Sequence, residues 1–182
     1  MQPTSKIAEV RVNKLAANIV GTLLLIVSCV AGVWLARLLP HYSAPAGWHA
    51  VALIVSVIVL FPVHEALHAV GLVRLAGVSW SHIRFGMMWR ALMPYCHCMV
   101  PISVRAYRRM ALLPLLVTGI VTVTALLFYP TDWLGLLTGC TVASCVGDVW
   151  MIVRLRRFSD GCLVQDSPSE IGCDVYSEIS QT

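Results

Sequence analysis

The chain of 182 residues is 58% hydrophobic and 12% charged, with a mean hydropathy of +0.80, whereas soluble domains run about 45 to 50% apolar and about 25% charged. So few charges cannot coat the water-facing surface of a domain this size, which excludes a soluble globular protein and a disordered chain. Thirteen basic and nine acidic residues leave a net charge of +4. No basic stretch is interleaved with aromatics in a polar setting, so nucleic acid is not an expected partner. Of the seven cysteines, Cys29, Cys140 and Cys145 lie inside apolar runs and none forms a C-x-x-C pair; no disulfide framework is expected.

A bilayer core about 30 Å thick is crossed by roughly 20 apolar residues in a helix, which satisfies its own backbone hydrogen bonds in hydrocarbon. Four stretches meet that requirement: residues 15–39, 48–73, 110–129 and 133–153. The fold expected is all-α and integral to the membrane, a single membrane domain over residues 1–182 with four transmembrane helices. The first stretch follows Lys6, Arg11 and Lys14 and contains Ile26-Val27-Ser28-Cys29, which resembles a lipoprotein cleavage box. Its apolar run continues past Cys29 through Val33, Trp34 and Leu38, longer than a signal core, so it is expected to remain as a span.

Basic residues set the expected orientation. Lys6, Arg11 and Lys14 precede span one; Arg74, Arg84, Arg90, Arg105, Arg108 and Arg109 separate spans two and three; Arg154, Arg156 and Arg157 follow span four, and Arg37 alone falls on the other side. The positive-inside bias places both termini, segment 74–109 and tail 154–182 in the cytoplasm of a multi-pass protein of the cell membrane. Cys96, Cys98, Cys162 and Cys173 should then stay reduced. No repeat relates the first pair of spans to the second, so the inverted symmetry of many transporters is not expected.

Span two contains Phe61-Pro62-Val63-His64-Glu65-Ala66-Leu67-His68, an H-E-x-x-H inside an apolar helix. Residues i and i+4 lie about 40° apart around a helix, so His64 and His68 present two imidazoles to one point with Glu65 on the flank. An ionisable residue at the bilayer centre costs about 2.5 to 3.5 kcal/mol on insertion scales, and three together need a compensating partner; a zinc ion supplies one. Two histidines facing the same way cannot occupy opposite axial positions on a haem iron. Pro62, just before the site, removes a helix hydrogen bond and offers a place to admit water.

Catalytic zinc has three protein ligands and an open fourth position. Apart from Glu65, the only acidic residue inside a predicted span is Asp148, six residues before Arg154, just as His68 lies six residues before Arg74. At 1.5 Å per residue both stand about 9 Å from the first cytoplasmic arginine. Asp148 adjoins a small-residue stripe, Gly135, Gly139, Ala143 and Gly147, that lets another helix approach closely. His97, Cys96 and Cys98 are the competing third ligands. In an extended strand Cys96-His97-Cys98 point alternately to opposite sides, a poor closed site, and a turn after Pro94 is the plainer reading. His41, His49 and His82 read as interfacial or loop histidines.

Between spans two and three, Ile83, Phe85, Met87 and Trp89 alternate with His82, Arg84, Gly86 and Met88, which predicts a strand; a second extended piece is expected from Met93 to Val100, together a small cytoplasmic hairpin-like segment. An exposed strand edge there offers a grip on an extended substrate by strand addition. Ser103 is a plausible N-cap for a short helix on which Arg105, Arg108 and Arg109 share a face and meet lipid phosphate. The tail carries Asp160, Asp166, Glu170, Asp174 and Glu178, with Gly161, Pro168 and Gly172 breaking regular structure; it reads as a polar cytoplasmic appendage.

With these residues in view, the sequence resembles the putative zincin peptidases, a family of small membrane proteins, and more distantly the site-2 type of intramembrane zinc metalloprotease. The likeness covers roughly Phe61 to Gly172: His64-Glu65-x-x-His68, the arginine-rich segment with Phe85-Gly86, Pro94-Tyr95 and Tyr107-Arg108 up to Pro114, then Gly147-Asp148 and the tail's Asp166 and Gly172. The resemblance implies that His64 and His68 bind zinc, that Glu65 is catalytic and that the aspartate of the later span completes the site. Site-2 enzymes carry that aspartate in an Asp-Gly pair, whereas here Gly147 precedes Asp148 and Val149 follows.

The resulting expectation is a membrane-embedded zinc metalloendopeptidase that cleaves membrane protein or peptide substrates near the cytoplasmic side of the lipid bilayer. The alternative is a non-catalytic metal-binding membrane protein, a sensor, assembly factor or scaffold. A metal permease is the weakest reading, because spans one and three offer almost no polar lining.

Overall fold

The computed structural model describes residues 5–88, 93–167 and 172–177. Trp89, Arg90, Pro168, Glu170 and Glu178, used in the sequence reading, lie outside them. Among the described residues the chain is mostly helical, with small antiparallel sheets. In chain order it runs β1 (Lys6–Arg11), α1 (Lys14–Leu38), α2 (Trp48–Ala76), a 3-10 turn (Trp80–His82), β2 (Ile83–Met88), β3 (Met93–Cys98), β4 (Ile102–Ser103), α3 (Val104–Phe128), α4 (Asp132–Ser144), α5 (Val146–Leu155), β5 (Leu163–Asp166) and β6 (Gly172–Tyr176). Four helical stretches are long and apolar enough to cross a membrane: Leu15–Leu38, Trp48–Ala76, Val104–Phe128 and Asp132–Leu155.

Two compact units emerge, one of Leu15–His64 and Pro114–Gly147, the other of Met1–Lys14, Glu65–Leu113 and Asp148–Thr182. In the first unit, α1 and α4 meet at glycines: a Cβ at Gly32 would stand 2.1 Å from the Gly135 carbonyl oxygen, and one at Gly139 would stand 2.5 Å from the backbone of Cys29. Ser28 Oγ donates to the Gly139 carbonyl at 2.9 Å. Below this crossing, Ala36, Leu126, Leu134 and Leu137 form a buried cluster, and Arg37 forks onto Asp132 at 2.8 and 3.0 Å. The outer faces stay apolar and exposed, as at Leu23, Val27, Val30 and Trp34 of α1, a surface suited to lipid rather than water.

In the second unit a four-stranded antiparallel sheet has the order β1-β6-β5-β4, and β2-β3 form a separate hairpin. Val10, Val164, Cys173 and Val175 of the sheet, with Cys162 just before β5, pack on Val104, Met151 and Leu155 of α3 and α5. Arg108 ties the same helices: its guanidinium donates to the Leu155 and Phe158 carbonyls at 2.8 and 2.9 Å and to Asp160 at 2.8 Å. A second cluster seats the hairpin, through Ile83 and Cys98, on Ala69, Leu72 and Met110.

Four expectations need correction. The chain is not all-α, because the N-terminal residues and the acidic tail pair as β1, β5 and β6, with Arg11 bonded to Asp174 at 2.6 Å; the tail is therefore not a simple appendage. The third helix begins at Val104, not near residue 110, so the helix expected after Ser103 is its first turns, which Ser103 Oγ caps by accepting from the Ala106 N–H. Arg105 and Arg108 on those turns are engaged by Asp160 rather than left for lipid phosphate. The fourth span is broken at Cys145. The small-residue stripe accordingly serves α1 through Gly135 and Gly139, while among the described residues no neighbouring element comes within 4 Å of a Cβ at Gly147.

Candidate metal centre

α2 carries the H-E-x-x-H through an unbroken helix, although Pro62 lies inside it. It ends where Gly77 takes a left-handed conformation and the Val78 N–H closes back on the Leu72 carbonyl at 3.0 Å. One turn apart on this helix, His64 and His68 are both buried, and Glu65 between them is half-buried.

The break in the fourth span delivers the third group. α4 stops at Ser144, Cys145 leaves the helical region with φ −88° and ψ 2°, and α5 starts at Val146 with Asp148 in its first turn. A carboxylate is favoured there by the helix dipole. Asp148 Oδ1 stands 3.2 Å from His68 Nε2, and Cys145 Sγ lies 4.0 Å from His64 Nδ1. One donor atom from each of His64, His68 and Asp148 falls within 4.8 Å of the others.

This donor set suits zinc: two buried imidazoles and a half-buried carboxylate, with the Glu65 carboxylate on the same helix. Tetrahedral zinc with ligands at about 2.0 to 2.1 Å places neighbouring ligand atoms about 3.3 Å apart, close to the His68–Asp148 separation. Three protein donors also leave the fourth position of a catalytic site.

Among the described residues none of the competing donors joins the group of His64, His68 and Asp148. His97 Nδ1 is 3.9 Å from Asp166 Oδ2, and the Cys98 thiol donates to the Val100 carbonyl at 3.2 Å. Burial first, and then the negative charges of Glu65 and Asp166, push the Cys96 thiol up to about 12. Asp166, also pushed up by burial, accepts from the Cys98 N–H at 3.0 Å and so pins β3 to β5. His49 is a structural histidine whose Nδ1 accepts from the Ala46 N–H at 3.1 Å near the start of α2. His41 lies in the left-handed region between α1 and α2, and His82 ends the exposed 3-10 turn.

Two residues beside the histidines escaped the sequence reading, Cys145 against His64 and Met110 against His68. Both contacts are remote in sequence, and neither residue stands out in an apolar run.

A family model described as putative zincin peptidase matches residues 57–163. The match takes in His64, Glu65, His68 and Asp148 and leaves Asp166 and Gly172, parts of the sequence likeness, outside it. No curated protein and no solved structure matches the chain.

Proposed function

Because the chain belongs to the putative zincin peptidase family, we propose that it is a membrane-embedded zinc metalloprotease that hydrolyses peptide bonds of membrane protein substrates near the cytoplasmic side of the bilayer. The observation that carries this reading is the convergence of His64, His68 and Asp148 donor atoms within 4.8 Å, beside Glu65 on a helix apolar enough to cross a membrane.

His64, His68 and Asp148 hold the metal. Bound zinc would supply a Lewis acid for the scissile carbonyl and lower the pKa of water towards neutrality. Glu65 accepts the proton of the attacking water as its oxygen joins the carbonyl carbon. Glu65 then delivers that proton to the amide nitrogen as the carbon–nitrogen bond breaks, so the amine leaves neutral. Burial of His64 and His68 limits the access of competing water to the reacting atoms.

Substrate is held extended along β2. Among the described residues β2 pairs only with β3, and Phe85 and Met87 are exposed on it, which favours strand addition of an apolar segment. The cytoplasmic assignment of the site and of both termini is supported by the placement of Arg74, Arg84, Arg105, Arg109, Arg154, Arg156 and Arg157 in the unit that carries Glu65, His68 and Asp148.

The test is Glu65→Gln in detergent-purified full-length protein, with mass spectrometry of products from a library of membrane-spanning peptides. Zinc content should stay at the wild-type level while cleavage falls by about 10²- to 10⁴-fold. Equal cleavage by wild type and variant contradicts the catalytic role of Glu65, and no cleavage by a zinc-loaded wild-type chain leaves a metal-binding protein.

A further inference from the structure

Metal-binding histidines usually donate their second ring N–H to a neighbouring acceptor, which fixes the tautomer and aims the other nitrogen. For His68 the group on that side is Met110 of α3: His68 Nδ1 lies 3.2 Å from Met110 Sδ.

A helical carbonyl is normally consumed by the N–H four residues ahead. Four residues after Met110 stands Pro114, inside α3 and fully buried. Proline has no N–H, and its ring crowds the carbonyl four residues back. The Met110 carbonyl is thereby released from the helix at the one place on α3 where His68 stands. Gly71, three residues beyond His68 on α2, completes the fit: a Cβ there would meet Met110 Cγ at 2.9 Å and Met110 Cα at 3.1 Å, so a side chain at this position would push Met110 back.

We propose that Pro114 and Met110 are positioning residues for the metal centre: Pro114 frees the Met110 carbonyl, and that carbonyl together with the Met110 thioether accepts the His68 Nδ1–H. His68 Nε2 then presents its lone pair towards Asp148 Oδ1, 3.2 Å away. With the Nδ1 proton held by Met110, His68 Nε2 and Asp148 Oδ1 are both acceptors, an arrangement that suits a cation between them. Proline at 114 thus has a use beyond shaping the helix. The inference rests on the zinc reading of His64, His68 and Asp148.

The experiment is zinc affinity of the detergent-solubilised full chain, by competition with a chromogenic chelator, alongside the thermal midpoint of the metal-free protein. Pro114→Ala restores an N–H that competes for the Met110 carbonyl. It should weaken zinc about 10-fold while the metal-free midpoint holds or rises, because the helix regains a hydrogen bond. Met110→Leu keeps the carbonyl and removes the sulfur, and should weaken zinc by about 3-fold, a fraction of that effect. A purely structural role for Pro114 and Met110 would move the midpoint and leave affinity alone. Weakened zinc in either folded variant supports the proposal; wild-type affinity in both overturns it. Failure of the wild-type chain to bind zinc is a separate outcome, which refutes the metal site itself.

Discussion

The α1–α4 crossing gives a prediction whose size follows from distances. A Cβ at Gly32 would stand 2.1 Å from the Gly135 carbonyl oxygen and 2.9 Å from its carbon, backbone atoms that no rotamer change can move, and ordinary contact begins near 3.4 Å. Gly32→Ala therefore requires the two helices to part by about 1.3 Å. A radial gap of about 1 Å forfeits a quarter to a half of each dispersion contact, and overpacking of this kind costs about 1 to 3 kcal/mol. The Ser28–Gly139 hydrogen bond, one turn away on the same crossing, should weaken with it. Gly21 of α1 is the control: nothing lies within 4 Å of its Cβ position, and alanine there should stabilise the helix by about 0.5 to 1 kcal/mol. The assay is pulse proteolysis or thermal unfolding in a single detergent. Equal stability of the two variants, or a more stable Gly32→Ala, refutes the packing argument.

Arg108 should be equally sensitive to its shape: Arg108→Lys keeps the charge but cannot bond the Leu155 and Phe158 carbonyls and Asp160 together, and unfolding should show a loss of about 1 to 3 kcal/mol. Asp166 predicts a pH dependence. Burial raises its carboxyl above the unfolded value, so its favourable contribution is complete below the unfolded pKa of 3.8 and is lost as pH rises through the higher folded value. Asp166→Asn, which keeps an oxygen acceptor for the Cys98 N–H, should match wild type at the acid end and equal or exceed its stability at neutral pH; a variant that loses stability as pH rises contradicts the assignment.

Hydropathy alone located four helices, because 20-residue apolar runs need no tertiary information to be recognised. The hairpin at β2 and β3 was equally local: Ile83, Phe85 and Met87 alternate within one strand. The tail was not recognised, although it carries the same signal in weaker form. Cys162 and Val164, and Cys173 and Val175, are buried at every second position, but the intervening charges and glycines dominate the composition. The partner of β6, β1, is also more than 160 residues away in sequence. The break at Cys145 is hidden because α4 and α5 are both apolar, so the mean hydropathy of the window does not register a one-residue interruption.

The candidate site divides along the same line. His64, Glu65 and His68 share one helical turn, and their meeting follows from helix geometry. Asp148 could be matched to them only in depth, by counting residues to Arg154 and Arg74. What brings it to His68 is the start of α5, which depends on the break. Met110 and Cys145 reach the histidines through helix packing alone, and nothing in their local sequence announces it.

The central claim is that His64, His68 and Asp148 together hold one zinc ion, and metal content tests it most directly. Full-length protein purified in detergent, dialysed against zinc and measured by elemental analysis should carry about one zinc per chain. His64→Ala and Asp148→Ala, each shown to unfold at the wild-type temperature, should carry far less. Zinc retained at full content in Asp148→Ala would remove that carboxylate from the site, and zinc absent from the wild-type chain would contradict the account as a whole.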